Sequence, residues 1–171
     1  MLEGDQVDLE QAFVVGVVLR RHQRDRTRNV AKILRPDVHE VGKIDGYLKK
    51  LFGNAHIRVV PKSYDTAEIF VREDDLGELT VDDEEGERSY NFRMVIQVGN
   101  DPSIQPVPTL NAYLRNKFDN EKIRVVPRPK KTDSLEVYMG EEFIAVLFLE
   151  IEKGRRSYIL ELPILDVDLV D

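Results

Sequence analysis

The chain has 171 residues, of which 42% are hydrophobic and 33% are charged, and this composition is typical of a folded globular protein rather than a disordered one. Its formal net charge is -7, the opposite sign from most domains that bind duplex nucleic acid. It contains no cysteine, which excludes disulfides, thiolate nucleophiles and cysteine-ligated zinc.

Residues 1–40 match no other part of the chain and are predicted to form an N-terminal extension. The apolar run from Phe13 to Leu19 could be a strand, because of its valines, or a helix capped by Asp8, which we favour. Acidic residues precede this run and arginines follow it, the reverse of a signal peptide, and a membrane span needs about 20 apolar residues. We therefore expect a cytoplasmic protein that does not enter a membrane.

Residues 20–35 form a basic segment with Asp25 as its one acidic residue. Its candidate contacts to nucleic acid or another anion are Arg20, Arg21, Arg24 and Arg26. The alternative, which we favour, is a solvated helix face that pairs with the protein's own acidic loops, because the chain is strongly acidic from residue 44 onward. The segment also has no interleaved aromatic residues on which single-stranded bases could stack.

The rest of the chain contains two diverged copies of one unit, copy one at residues 41–100 and copy two at residues 107–171. IDGYLKKLFGN at residues 44–54 corresponds to LNAYLRNKFDN at residues 110–120, and IRVVP follows in both copies, at residues 57–61 and 123–127. GERSY at residues 86–90 corresponds to GRRSY at residues 154–158. Because these matches occur in the same order, the sequence indicates a tandem duplication.

Each copy is predicted to be one amphipathic helix followed by an antiparallel meander of four strands, which makes the fold α+β. In copy one the helix lies between Pro36 and Gly53, and in copy two it starts at Pro108 and Thr109. The predicted strands are 57–60, 67–71, 76–81, 90–98, 123–126, 135–139, 143–151 and 158–165. The linker from Gly99, with prolines at 102, 106 and 108, is too short for independent motion, so we expect the copies to lie close together.

The third and fourth strands of copy two are apolar on both faces, whereas the third strand of copy one alternates between apolar and polar residues. An apolar side chain left in water there would forgo about 1.5–3 kcal/mol of burial. We therefore expect the second face of copy two to be covered by the N-terminal extension, by copy one or by a second chain. The candidate interface residues are Ile144, Val146, Phe148, Ile159 and Leu165.

No motif for phosphate, dinucleotide or nucleophile chemistry occurs, and the three histidines have no metal-ligand spacing, so we expect no catalytic site, metal or cofactor. Arg58 and Arg124 occupy equivalent positions, as do Arg88 and Arg156. These pairs could form matching anion sites. We favour cross-strand salt bridges instead, for which Glu68 and Glu136 are the acidic partners.

Copy two resembles a family of small uncharacterised alphaproteobacterial proteins, catalogued as a domain of unknown function and usually built from a single unit. The resemblance rests on LNAYL at residues 110–114, IRVVPRPKK at 123–131, EVYMGEE at 136–142 and ILDVDL at 164–169. It covers copy one less well and does not reach residues 1–36. It implies a bacterial helix-plus-sheet protein and no activity.

The function predicted from these features is a non-enzymatic interaction or scaffold module, built as a covalent pseudo-dimer, with a protein partner or a homodimer expected. The alternative is a nucleic-acid-associated or regulatory protein that uses the arginines of residues 20–35.

Overall fold

The structure, a computed structural model, describes residues 38–82 and 87–169, with side chains from Glu40 onward. The predictions for residues 1–37, including the apolar run and the basic segment, lie outside the described residues. Residues 83–86 also lie outside the described residues.

Each copy consists of one helix and four strands, as predicted. Copy one contains α1 (Val38–Phe52), β1 (Ile57–Pro61), β2 (Thr66–Val71), β3 (Asp74–Asp82) and β4 (Ser89–Gly99). Copy two contains α2 (Pro106–Phe118), β5 (Ile123–Arg128), β6 (Lys131–Met139), β7 (Glu142–Glu152) and β8 (Arg155–Leu165). A 3-10 helix (Asp166–Leu169), which the sequence did not predict, follows β8.

Helix α2 begins inside the segment predicted as linker. Pro106 is in its first turn, where the missing backbone N–H needs no partner. Leu110, Leu114 and Phe118 recur at four-residue steps and are buried, which fixes the face that α2 turns to the sheet. The helix ends at Phe118 and is capped by Asp119, which adopts the left-handed conformation (φ 51°) that a short polar side chain tolerates.

The eight strands form one antiparallel sheet in the order β1-β2-β3-β4-β8-β7-β6-β5. The two meanders therefore join through β4 and β8. Counted from either edge, each copy contributes its first, second, third and fourth strands in that order. Copy one extends the sheet of copy two edge to edge. The prediction that copy one could cover the second face of copy two is wrong for this reason.

Both helices pack on one face of the sheet, where a single core joins the copies. The core alternates along the strands, as in β4, where Tyr90, Phe92, Met94, Ile96 and Val98 are all buried. The residues between them point to the other face, which we call the helix-free face. Among the described helices, none has both the length and the apolar character needed to cross a membrane.

Candidate interaction surface

The copies meet in a seam between β4 and β8 that is close to twofold symmetric. Tyr90 and Tyr158 are equivalent in the repeat, and three residues further on stand Arg93 and Glu161. These two residues lie directly opposite each other in the β4–β8 pairing. A pseudo-twofold axis therefore passes between Arg93 and Glu161, because only residues on such an axis face their own equivalents.

The C-terminal ends of the two helices make reciprocal contacts around the same axis. The rings of Phe52 and Phe118 stack with their centroids 3.9 Å apart. Asn54 Nδ2 donates to the carbonyl of Phe118 at 3.0 Å, and Asn120 Nδ2 donates to the carbonyl of Phe52 at 2.8 Å. Helix C-termini leave carbonyls unpaired and carry partial negative charge, so each asparagine satisfies an acceptor of the other copy.

The outer edges of the sheet are protected by side chains of the helices. Asp45 Oδ2 of α1 accepts from the Val59 N–H at 3.0 Å, and Asn111 Oδ1 of α2 accepts from the Val125 N–H at 2.9 Å. Arg115 Nε donates to the carbonyl of Ile123 at 2.7 Å. These bonds occupy backbone groups that an added strand would need, so the edges are poor sites for strand addition.

An apolar row crosses the helix-free face from β4 through β8 to β7. Val95 pairs with Ile159, and Ile159 pairs with Phe148. Ile159 is only 6% exposed although it is outside the core beneath the helices, whereas Val95 and Phe148 are 47% and 41% exposed. We call Val95, Ile159 and Phe148 the apolar row. These three neighbouring side chains form a small apolar patch that is partly open to solvent.

The other predicted interface residues lie at different places. Val146 is half-buried on the helix-free face, and Leu165 is 52% exposed at the end of β8. The prediction for Ile144 is wrong, because it is buried in the core on the helix side. The β6–β7 pairing shifts between Val137 and Tyr138, which leaves Ile144 in a bulge and turns it away from the helix-free face.

Val95 is the surface residue that the sequence did not predict. It belongs to copy one, whose strands were expected to present a polar second face. Its signal in the sequence was the unbroken apolar run Met94-Val95-Ile96, since a strand with one wet face should have a polar residue in the middle position.

A shallow, open depression of about 420 Å³ lies beside the apolar row in copy one. Lys62, Glu68, Glu78 and Arg93 line it together with Val95. Lys62 Nζ lies 3.8 Å from Glu78 Oε2, so charges of both signs are present. The depression widens the candidate surface toward β2 but contains no buried polar side chain aimed into it among these residues.

The equivalent arginines Arg58 and Arg124 bind groups of the chain itself. The Arg58 guanidinium lies 5.0 Å from the ring centroid of Phe70, and its Nη2 donates to the carbonyl of Arg72. Arg124 lies 5.1 Å from the ring centroid of Tyr138, and its Nε donates to the carbonyl of Gly140. Each arginine thus fastens the turn after the neighbouring strand.

The strand register explains why the predicted salt bridges to Glu68 and Glu136 do not form. Arg58 stands opposite Phe70, whereas Glu68 stands opposite Val60. In copy two Glu136 is bound instead by Arg128, at 3.8 Å, and by the Tyr138 hydroxyl, at 3.1 Å. This hydrogen bond to Glu136 raises the pKa of Tyr138 above its ordinary value, because the carboxylate binds the protonated phenol.

Arg88 and Arg156 fasten the segments where the two helices start. Arg88 Nη2 pairs with Glu40 in α1 at 2.9 Å, and Arg156 Nη2 donates to the carbonyl of Asp101 at 2.8 Å. Tyr90 lies beside Arg88, and its burial raises the pKa of its phenol well above the ordinary value. These contacts give both arginines a structural role.

The remaining candidate contacts, Arg20, Arg21, Arg24 and Arg26, lie outside the described residues and stay a prediction. Across residues 38–82 and 87–169, no group of three or more histidine or acidic side chains is placed to hold a metal ion.

The model of a protein family of unknown function, DUF3126, matches residues 40–98 and again residues 107–168. No curated protein and no solved structure matches the chain. The two family matches coincide with the two copies that form the sheet, so the chain belongs to the DUF3126 family and contains its domain as a tandem duplication.

Proposed function

We propose that this protein is a non-enzymatic protein-interaction or scaffold module, built as a covalent pseudo-dimer, whose docking surface is the apolar row on the helix-free face. The observation that carries this proposal is the exposure of Val95 and Phe148 on either side of the buried Ile159. Burying an apolar side chain of this size contributes about 1.5–3 kcal/mol, which favours a partner that covers the row.

The remaining surfaces support the choice of this face. The helix side of the sheet is filled by α1 and α2, and its core is continuous across the seam. The outer edges at β1 and β5 have backbone groups already bound by Asp45, Asn111 and Arg115. The helix-free face is therefore the broad surface that a partner can reach.

The pseudo-dimer part of the proposal rests on the reciprocal contacts at the axis. Asn54 and Asn120 each bind the helix end of the other copy, and Phe52 stacks on its own equivalent, Phe118. Such mutual exchange is the pattern of a twofold dimer interface. We infer that the tandem links in one chain what two single units would form as a homodimer.

The charges around the apolar row suggest the chemistry of the partner. Glu68, Glu78, Glu136 and Glu161 lie across the helix-free face, and Lys62, Arg93 and Arg128 each pair with one of them. A protein segment with an apolar run beside basic residues would complement this surface. Residues 13–35 of the chain have that pattern, with FVVGVVL followed by the basic segment, and they are the occupant that we propose, from the same chain or from a second copy.

Trypsin digestion of the full chain tests this occupant. If residues 13–35 dock on the apolar row, Phe148→Asp should accelerate cleavage after Arg20, Arg21 and Arg24, because the segment is released. Ile151→Asp is the matched control, since Ile151 is more exposed, at 62%, in the same strand but on the opposite face. Equal cleavage rates in the wild type and both variants would disprove docking of this segment.

Sedimentation of the full chain separates the two ways of covering the row. Docking between chains predicts a dimer at tens of micromolar that Phe148→Asp dissociates, whereas docking within a chain predicts a monomer in both proteins. A monomer that also shows no change in tryptic cleavage would leave the docking proposal without support.

The alternative function, a nucleic-acid-associated or regulatory protein, is favoured by one observation, the run of arginines in residues 20–35. It predicts DNA or RNA binding that weakens steeply with salt and disappears when Arg20, Arg21, Arg24 and Arg26 are replaced by alanine. An absence of binding at low salt would rule it out.

A further inference from the structure

A row of eight side-chain positions crosses the helix-free face through the pseudo-twofold axis. From β1 to β5 it consists of Val60, Glu68, Glu78, Arg93, Glu161, Val146, Glu136 and Val126, each opposite the next in the strand pairing. We call it the axial row. Read from its outer edge inward, copy one contributes Val-Glu-Glu-Arg and copy two contributes Val-Glu-Val-Glu, so the copies differ at their two innermost positions.

The innermost residues of the axial row carry opposite charges and contact each other. Arg93 Nε lies 3.9 Å from Glu161 Oε2. The same carboxylate oxygen accepts a hydrogen bond from Asn91 Nδ2 at 3.1 Å. Copy one thus supplies a cation and an amide donor at the seam, and copy two supplies the anion that both of them bind.

A residue on a twofold axis always faces its own equivalent, so a seam between two identical units cannot place opposite charges there. If β4 of one chain paired with β4 of another in the same register, Arg93 would face Arg93. If β8 paired with β8, Glu161 would face Glu161. Only the pairing of copy one with copy two brings the arginine to the carboxylate.

We propose that Arg93 and Glu161 determine which copies pair, so that the seam of copy one fits copy two and rejects a second copy one. Pairing of like copies would join each chain to other chains through its β4 seam and its β8 seam, instead of closing the chain on itself. Like charges placed opposite each other disfavour that assembly, and the attractive pair favours closure of the chain on itself.

The neighbouring difference in the axial row supports this role. In copy one Arg93 lies between Glu78 and Glu161 in the strand pairing; it contacts Glu161, whereas Glu78 lies 3.8 Å from Lys62. In copy two the position equivalent to Glu78 is Val146, which separates Glu161 from Glu136. Between the copies, the residue on the axis changes from Arg93 to Glu161, and the residue beside it changes from Glu78 to Val146. The two changes in charge therefore occur together.

The proposal can be tested with full-length variants. Each carries a protease site inserted among the exposed linker residues 100–103. Glu78→Val with Arg93→Glu gives copy one the axial row of copy two and places two glutamates on the axis. Adding Glu161→Arg reverses the polarity and restores an attractive pair, and Glu78→Val alone is the control. After cleavage, two isotopically distinct preparations are mixed, and native mass spectrometry measures which copies are paired.

In the wild type and the Glu78→Val control, pairs of copy one with copy two should remain dominant after mixing. In the variant with two glutamates, the fraction of pairs that join like copies should rise several-fold, toward the one half expected for random pairing. In the polarity-reversed variant, pairs of copy one with copy two should again dominate. Statistical pairing in the cleaved wild type would overturn the proposal, as would unchanged selectivity in the two-glutamate variant.

Urea unfolding of the uncut variants measures the effect of the axial charges on stability, and it tests the proposal even if the cleaved copies separate. An exposed charge pair contributes about 0.2–1 kcal/mol, so the two-glutamate variant should have a folding constant roughly 1.4- to 5-fold below that of the control at low salt. The difference should shrink near 1 M NaCl and disappear in the polarity-reversed variant. A loss that does not depend on salt, or that persists in that variant, would show a steric effect and contradict selection by charge.

Discussion

The two copies of the domain are alike on the helix side of the sheet and different on the helix-free face. Asp45 and Asn111 accept the same N–H bond from the following strand, and Phe52 and Phe118 occupy one stack. On the helix-free face, the positions of Phe148 and Ile159 in copy two are held by a threonine and an asparagine in copy one. Most equivalent core positions keep an apolar residue, as with Phe92 and Leu160, whereas positions on the helix-free face change from polar to apolar.

The two faces of the sheet tolerate substitutions to different extents. Side chains in a close-packed interior tolerate few changes, so the contacts that join the copies constrain both sequences equally. Surface substitutions usually change stability by no more than about 0.5 kcal/mol, so the helix-free face is free to diverge. Apolar residues on an exposed face need another explanation, which is the docking role proposed for the apolar row.

The largest effect on stability is expected from replacing the stacked phenylalanines, and it tests whether the interiors of the two copies are equivalent. Phe52 and Phe118 are both fully buried, so replacing either with alanine should lower the free energy of unfolding by about 3–5 kcal/mol. Because the rings contact each other, the double variant should cost less than the sum of the single variants. Urea denaturation of the three proteins measures this, and single-variant costs that differ by more than about 1.5 kcal/mol would contradict an equivalent interior.

A second prediction concerns a place where the interiors differ. Gly77 in β3 corresponds to Ala145 in β7, so the repeat alone suggests that Gly77→Ala should be harmless. A Cβ at Gly77 would lie 2.2 Å from the carbonyl oxygen of Arg93, a backbone atom that cannot move without shifting β4. We expect a loss of about 1–3 kcal/mol.

The matched control for Gly77→Ala is the reverse change in copy two. Ala145→Gly removes a methyl group and adds backbone freedom, so it should cost about 0.5–1 kcal/mol. Thermal unfolding of both variants gives the comparison. A neutral Gly77→Ala would mean that β3 and β4 approach each other no more closely than their equivalents in copy two.

Much of this arrangement was predictable from the sequence because it depends on local pattern. The four-residue steps of Ile44, Leu48 and Phe52 predicted α1, and the repeated IRVVP predicted β1 and β5. The matches between the copies predicted the duplication, which the two family matches confirm. These features need only the periodicity of a helix or strand and the comparison of the chain with itself.

What the sequence could not provide was the register between strands. The bulge at Ile144 reverses the face expected from alternation, and the pairing of Arg58 with Phe70 rather than Glu68 depends on which residues stand opposite each other. The seam of β4 with β8 is likewise a pairing between distant segments that hydrophobic pattern does not specify. That Arg93 faces Glu161 could therefore be recognised only from the pairing of β4 with β8.

A smaller effect is expected from the asparagines at the helix ends. Asn54→Ala removes the donor to the Phe118 carbonyl and the acceptor for the His56 N–H, and Asn120→Ala does the equivalent to Phe52 and Lys122. Unsatisfied buried groups cost about 1–3 kcal/mol each, and Asn54 is the more buried of the two, so Asn54→Ala should cost more. Equal costs in urea denaturation would indicate that burial does not distinguish the two sites.

The smallest effect on stability, and the sharpest test of the difference between the faces, is expected from Phe148→Thr. This change gives copy two the residue that copy one has at the equivalent position, Thr80, and Phe148 is 41% exposed and lies outside the core, so the free energy of unfolding should change by no more than about 0.5–1 kcal/mol. Docking, measured by protection of residues 20–24 from trypsin, should nevertheless be lost. The reciprocal Thr80→Phe adds an aromatic ring to copy one at the matching place and should leave that protection unchanged, because it leaves the apolar row intact. If Phe148→Thr keeps the protection while Thr80→Phe alters it, the segment docks beside Thr80 instead of on the apolar row, and the proposed docking site is wrong.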